Sequence, residues 1–133
     1  MTASLNELLV CLGSNALGKE EAVARAATFL ERFGDIIADS GPYLTPPEGA
    51  PVAAKPYWNR ILRLETPLAT EDLHRAAKAY ESGVRAAHTG EGVAVDIDIV
   101  ADSTGILRPR DYKSFYFTKG LAMMQSILVE ADR

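Results

Sequence analysis

The sequence predicts an α+β domain, and three observations predict it. Short apolar runs, several rich in β-branched residues, alternate with stretches whose apolar residues recur every three to four positions. Clusters of Gly, Pro, Asn and Ser separate the two kinds of segment. The clearest strand, residues 93–102, alternates through its middle, as a strand does when one sheet face is buried and the other is polar. At 133 residues the chain is expected to form one compact domain over 1–133.

Residues 7–12 read as a buried strand closed by the turn-forming Gly13-Ser14-Asn15. Residues 19–33 follow as an amphipathic helix: Ala22, Val23, Ala26, Phe29, Leu30 and Phe33 recur at helical spacing, and Gly34 stops it. A second extended run, 36–44, is interrupted by Gly41-Pro42, and 45–51 is too proline-rich for a helix or central strand. The third strand is 57–65, with Trp58, Leu62 and Leu64 on the core face and Tyr57, Asn59, Ile61 and Arg63 on the other. Thr66-Pro67 breaks it. Thr70, Glu71 and Asp72 start the next helix by capping and dipole logic, and Leu73, Ala77, Tyr80 and Val84 form its buried stripe. A glycine-containing connector, 88–92, leads into the fourth strand, and a turn at 102–105 leads out to a short extended piece. From 114 to 129, Phe117, Leu121, Met124 and Leu128 mark a last helix. The order β-α-β-β-α-β plus a terminal helix is the ferredoxin-like arrangement, an antiparallel sheet with helices on one face and the other face free.

Composition narrows the function classes. Hydrophobic residues make up 47% and charged residues 24%, which suits a packed core rather than disorder. The net charge of −4 lacks the basic footprint of a general nucleic-acid binder. No window is long and apolar enough to span a membrane, and no secretory leader is visible, so a cytoplasmic location is expected. The single cysteine, Cys11, lies in an apolar run and reads as a buried thiol.

The fourth strand carries the chemistry. Val93, Val95, Ile97 and Ile99 share one face, leaving Asp96 and Asp98 side by side on the other, roughly 6–7 Å apart along the strand. Solvent on an open sheet face accommodates two such charges. So does a divalent cation such as Mg²⁺, which takes carboxylate oxygens and keeps sites for water and phosphate. In matching register, Tyr57 and Asn59 would join them, an aromatic face and an amide able both to donate and to accept.

Five pieces then occur in order: Leu12-Gly13-Ser14-Asn15, Tyr43-Leu44-Thr45-Pro46-Pro47, Tyr57-Trp58-Asn59, Asp96-Ile97-Asp98-Ile99 and Arg108-Pro109. Together they resemble the 6-hydroxymethyl-7,8-dihydropterin pyrophosphokinases, folate-pathway enzymes that move a pyrophosphoryl group from ATP to a pterin alcohol. The resemblance implies the ferredoxin-like fold, Mg²⁺ with ATP as co-substrate, and small-molecule partners only. It implies that Asp96 and Asp98 hold the metal, and that Thr45, Pro46, Tyr57, Asn59 and Phe117 surround the pterin. Where the family usually carries several arginines and a Trp-Gly-Pro-Arg-like run, this chain keeps Arg85 alone, followed by Ala86-Ala87-His88-Thr89-Gly90-Glu91-Gly92. The family's Pro-His pair appears as Pro109-Arg110. Arg85 and Arg110 are thus the cations expected at the phosphates, with Arg108, Lys113 and Lys119 as further sources of charge. Two other readings fit the same residues: a pterin- or nucleotide-binding homologue that transfers nothing, and a structural ferredoxin-like module.

Overall fold

The computed structural model describes residues 4–46 and 55–131; from 126 onward it describes the helix but not the side chains. The proline-rich run from Pro47 to Pro51 and the place of Leu128 therefore lie outside the described residues. The elements are β1 (Asn6–Ser14), α1 (Lys19–Leu30), β2 (Asp35–Asp39), β3 (Tyr43–Thr45), β4 (Tyr57–Thr66), α2 (Thr70–Ala87), β5 (Asp96–Asp102), β6 (Gly105–Ile106), α3 (Pro109–Tyr112) and α4 (Phe115–Ala131). The six strands form one antiparallel sheet in the order β2-β4-β1-β5-β6, with β3 also paired to β4. The architecture is α+β. No helix among the described residues is long and apolar enough to cross a membrane.

Alternation along the strands divides the apolar residues between two cores. Leu8, Val10 and Leu12 of β1 point to one face with Leu62, Leu64, Ile97 and Ile99, where Val23, Ala26 and Leu30 of α1 and Leu73 and Ala77 of α2 cover them. Cys11, Ile61 and Val100 point to the other face. They are covered by Phe117 and Met124 of α4 together with Tyr43.

This second core corrects the expectation of a free face. Ile61 and Val100 are fully buried there, and leaving each in water would cost about 1.5–3 kcal/mol. The last helix closes over them, and Gly120 permits the approach: a Cβ there would lie 2.8 Å from Ile61 Cγ1 and closer still to the Tyr43 hydroxyl. Tyr43 donates its O–H to the Tyr116 carbonyl at 2.6 Å, tying α4 to the sheet.

Other boundaries differ for local reasons. The first helix ends at Leu30, three residues before Phe33, because Gly34 lies against the Glu65–Thr66 backbone and Thr66 donates to the Phe33 carbonyl at 2.6 Å. The extended run 36–44 splits into β2 and β3 around Gly41, whose φ is 72°. Thr70 does not cap α2: the N-cap is Ala69, and the Thr70 hydroxyl donates to Asp102 at 2.5 Å. The fourth strand pairs only from Asp96. Residues 93–95 are instead held by the β1 turn, where Val93 N–H donates to Asn15 Oδ1 at 2.6 Å and Ser14 Oγ donates to the Val93 carbonyl at 3.0 Å. The expected turn at 102–105 and the extended piece after it form the β5–β6 hairpin, and the chain adds the one-turn helix α3 before α4.

Candidate active site

The aspartate strand lies beside β1, with Asp96 opposite Gly13 and Asp98 opposite Cys11. Both carboxylates stand on the α4 side of the sheet, where only the first turn of that helix, through Tyr116, reaches their cleft. They border a cleft of about 300 Å³ whose lining includes Gly13, Thr45, Pro46, Tyr57, Asn59 and Tyr116, with Cys11, Arg108 and Asp111. The absence of a side chain at Gly13 keeps the floor low: a Cβ would touch Asn59 Oδ1 at 3.5 Å and the Tyr57 ring at 3.6 Å.

One wall is a polar edge. Asn59 and Thr45 are both buried, and the Asn59 amide donates to Thr45 Oγ1 at 2.7 Å and to the Tyr57 carbonyl at 3.3 Å. Those two bonds consume the amide donors, so Asn59 Oδ1 stays an acceptor and the Thr45 O–H a donor. An adjacent donor and acceptor suit the amide-like edge of a flat heterocycle. Tyr57 supplies an aromatic face beside them.

The opposite wall is charged. Arg108 donates through Nε to Asp111, and Tyr116 donates its O–H to the other Asp111 oxygen. Burial works upward on Asp111, but the hydrogen bonds from Tyr116 and Arg108 prevail and hold it below the ordinary carboxylate value. Asp96 goes the other way: burial first, then the neighbouring Asp98 charge, pushes it up, against the opposing charges of Lys78 and Arg85. A carboxylate held up by desolvation and by a like charge gains most from a bound cation. The described residues contain no group of three or more His, Cys, Asp or Glu arranged for a metal. A carboxylate pair is nonetheless sufficient for Mg²⁺, which usually takes one or two carboxylates and completes its shell with water and phosphate oxygens. Asp96 and Asp98 fit that ion.

A second groove, about 570 Å³, opens on the far side of Asp98 between α2 and the β6–α3 connection, with Thr70, His74, Lys78, Ile99 and Leu107 among its lining. The two clefts share Asp98 and Arg108. Lys78 Nζ and Arg108 Nη1 lie 3.6 Å and 3.7 Å from the same oxygen, Asp98 Oδ1.

Comparison with protein-family models matches residues 9–125 to the family described as 7,8-dihydro-6-hydroxymethylpterin-pyrophosphokinase, HPPK. The chain belongs to the HPPK family. No curated protein matches it significantly. HPPK membership implies a diphosphokinase that transfers pyrophosphate in folate biosynthesis.

Within this HPPK chain the fold gathers Asp96, Asp98, Thr45, Pro46, Tyr57 and Asn59 around one cleft. Three residues named with them stand elsewhere. Phe117 is fully buried in the second core, its ring 5.3 Å from that of Tyr112, and the residue that lines the cleft is its neighbour Tyr116. Arg85 and Arg110 are exposed and border neither cleft; Arg85 acts on Asp96, and Arg110 on Asp111, through charge. Of the other cations considered, Arg108 borders both clefts, while Lys119 donates to the Leu44 carbonyl at 3.2 Å.

Sequence reasoning missed Lys78, Glu81, Asp111 and Tyr116. A signal existed for one of them: Glu81 falls four residues after Ala77 within the apolar stripe of α2, a position for an apolar side chain. It is buried there, accepting from Ile97 N–H at 2.5 Å and pairing with Lys78 at 3.1 Å. The cause is the edge of β5. Its partner β6 reaches only Ala101 and Asp102, so the outward N–H and C=O of Ile97 need other partners. Glu81 takes the first, and Lys78 donates to the second at 3.2 Å.

Proposed function

We propose that this chain transfers pyrophosphate from ATP to 6-hydroxymethyl-7,8-dihydropterin with Mg²⁺ as cofactor. The observation that carries the reading is the meeting of two clefts at Asp98. A reaction that joins two small molecules must hold them side by side with their reacting atoms in contact. The smaller cleft suits the pterin, with Thr45 and Asn59 on its amide edge, Tyr57 against its ring and Tyr116 in the place foreseen for Phe117. The larger groove suits the nucleotide. Its phosphates would then point towards Asp98.

Asp96 and Asp98 would hold Mg²⁺, which would supply neutralising charge to the phosphates. The chain's own part is to bind and orient. Thr45 and Asn59 fix the pterin so that its hydroxymethyl group faces the shared wall. Its oxygen forms a bond to the β-phosphorus, the bond from that phosphorus to the α–β bridging oxygen breaks, AMP departs with the bridging oxygen, and the hydroxyl proton leaves to solvent. The strand order β2-β4-β1-β5, with helices between β1 and β2 and between β4 and β5, supports the ferredoxin-like reading of the scaffold.

The test is AMP release from ATP in the presence of the pterin and Mg²⁺, alongside an Asp96→Asn/Asp98→Asn variant. Pterin-dependent AMP that disappears in the folded variant is the expected result. Undiminished turnover in that variant would overturn the reading.

A further inference from the structure

The chain carries a net charge of −4, yet the larger groove gathers Arg75, Lys78 and Arg108 together with His74, against only Glu71 and Asp98. A cationic groove on an acidic protein is a place for an anion. The α2–β5 connector adds nothing to this charge, since residues 86–93 contain no lysine or arginine and none of them lines the groove. The positive charge of this groove comes from its own lining.

Two of the cations are held ready. Lys78 donates to Glu81 and to the Ile97 carbonyl, both at 3.2 Å. An ammonium has three N–H donors; the Glu81 carboxylate, with its second oxygen at 3.1 Å, and the Ile97 carbonyl take two, and the next acceptor, Asp98 Oδ1, is 3.6 Å away, beyond hydrogen-bond reach. Arg108 commits its Nε to Asp111 and leaves its Nη groups towards Asp98, with Nη1 at 3.7 Å. Each cation thus has a carboxylate tether of its own and only a loose hold on Asp98. Each keeps spare donors at the junction of the clefts. Side chains anchored in this way lose little freedom when they take up a ligand.

We propose that Lys78 and Arg108 are the triphosphate-binding cations of this chain, donating to phosphate oxygens from the lining of the groove. The proposal rests on the pyrophosphokinase reading, because that reading seats the nucleotide there. Tethering decides which cations serve: Arg75, paired among the described residues only with the exposed Asp72 at 3.5 Å, lacks a buried anchor.

The experiment is equilibrium binding of ATP by calorimetry, once in EDTA and once with Mg²⁺, to the full chain and to Lys78→Met, Arg108→Met and Lys78→Gln. A control, Arg25→Met, lies on α1. Binding of 6-hydroxymethylpterin alone is measured in parallel, and thermal melts report folding. A charge-assisted hydrogen bond is worth roughly 10- to 100-fold in affinity. Each variant at Lys78 or Arg108 should therefore lose about that much ATP affinity, in EDTA as well as with Mg²⁺, while Lys78→Met and Lys78→Gln keep their pterin affinity. Folded variants whose ATP affinity stays within about threefold of the native value overturn the assignment of these cations and leave the pyrophosphokinase reading standing. A native chain that binds neither ATP nor pterin overturns both.

Discussion

Glu81 offers the sharpest test of how the aspartate strand is held. Truncating it to alanine removes the acceptor of the Ile97 N–H, and this N–H lies between the two aspartates. Leaving a buried donor unsatisfied costs about 1–3 kcal/mol. The Lys78 pair adds less, because the Lys78 side chain is 39% exposed and regains water when released; at such a site the pair contributes about 1 kcal/mol at most. Against these stands the desolvation of the carboxylate itself, which the alanine variant no longer bears. The balance is a loss of about 1–3 kcal/mol, or roughly 4–12 °C in melting temperature for a chain of this size. Glu81→Gln keeps an amide oxygen for Ile97 and should lose about 1 kcal/mol or less. Urea unfolding followed through Trp58, the sole tryptophan and a partner of the first core, measures both variants. Glu81→Ala should also raise the KM for ATP more than Glu81→Gln does, since it frees Lys78 and the Ile97 N–H together. Alanine and glutamine variants that both stay within about 0.5 kcal/mol of the native protein would refute the claim that this carboxylate secures the strand.

Thr45→Val keeps the shape of the cleft but removes both the donor offered to the heterocycle and the acceptor of the Asn59 amide; pterin affinity should fall about 10-fold or more, read by calorimetry, with little change in ATP affinity. Gly120→Ala forces a methyl group into Ile61 and the Tyr43 hydroxyl, and the overpacking should cost about 1–3 kcal/mol in chemical denaturation. Burial alone would push Asp39 up, but the paired hydrogen bonds from Arg60, at 3.0 Å and 2.5 Å, and the Gly41 N–H hold it below its ordinary value of 3.8. A carboxyl lowered by folding adds stability that is complete above the unfolded value and is lost as pH falls through the folded one. Unfolding free energies measured across the range below 3.8 should therefore fall less steeply in Asp39→Asn than in the native chain.

The sequence by itself determined the elements that repeat regularly and the chemistry that sits on them. Period-two alternation put Asp96 and Asp98 on the face opposite Ile97 and Ile99, and helical spacing picked out Leu73, Ala77 and Tyr80, because both signals are local and follow from backbone geometry. The ordered motifs from Leu12 to Pro109 carry the resemblance to the HPPK family without reference to any contact. Tertiary structure decided what depends on residues far apart in the chain. The cover that α4 lays over Ile61 and Val100 turns on Gly120 meeting Tyr43, 77 positions earlier in the numbering, and it is this packing that buries Phe117 and turns Tyr116 to the cleft. Lys78 looks like an ordinary solvated helix charge, and Glu81 like a charge out of place in an apolar stripe, until the unpaired edge of β5 is brought against them. Which charged residues serve the site was thus fixed by unsatisfied backbone groups and long-range packing, and neither leaves a periodic trace in a sequence.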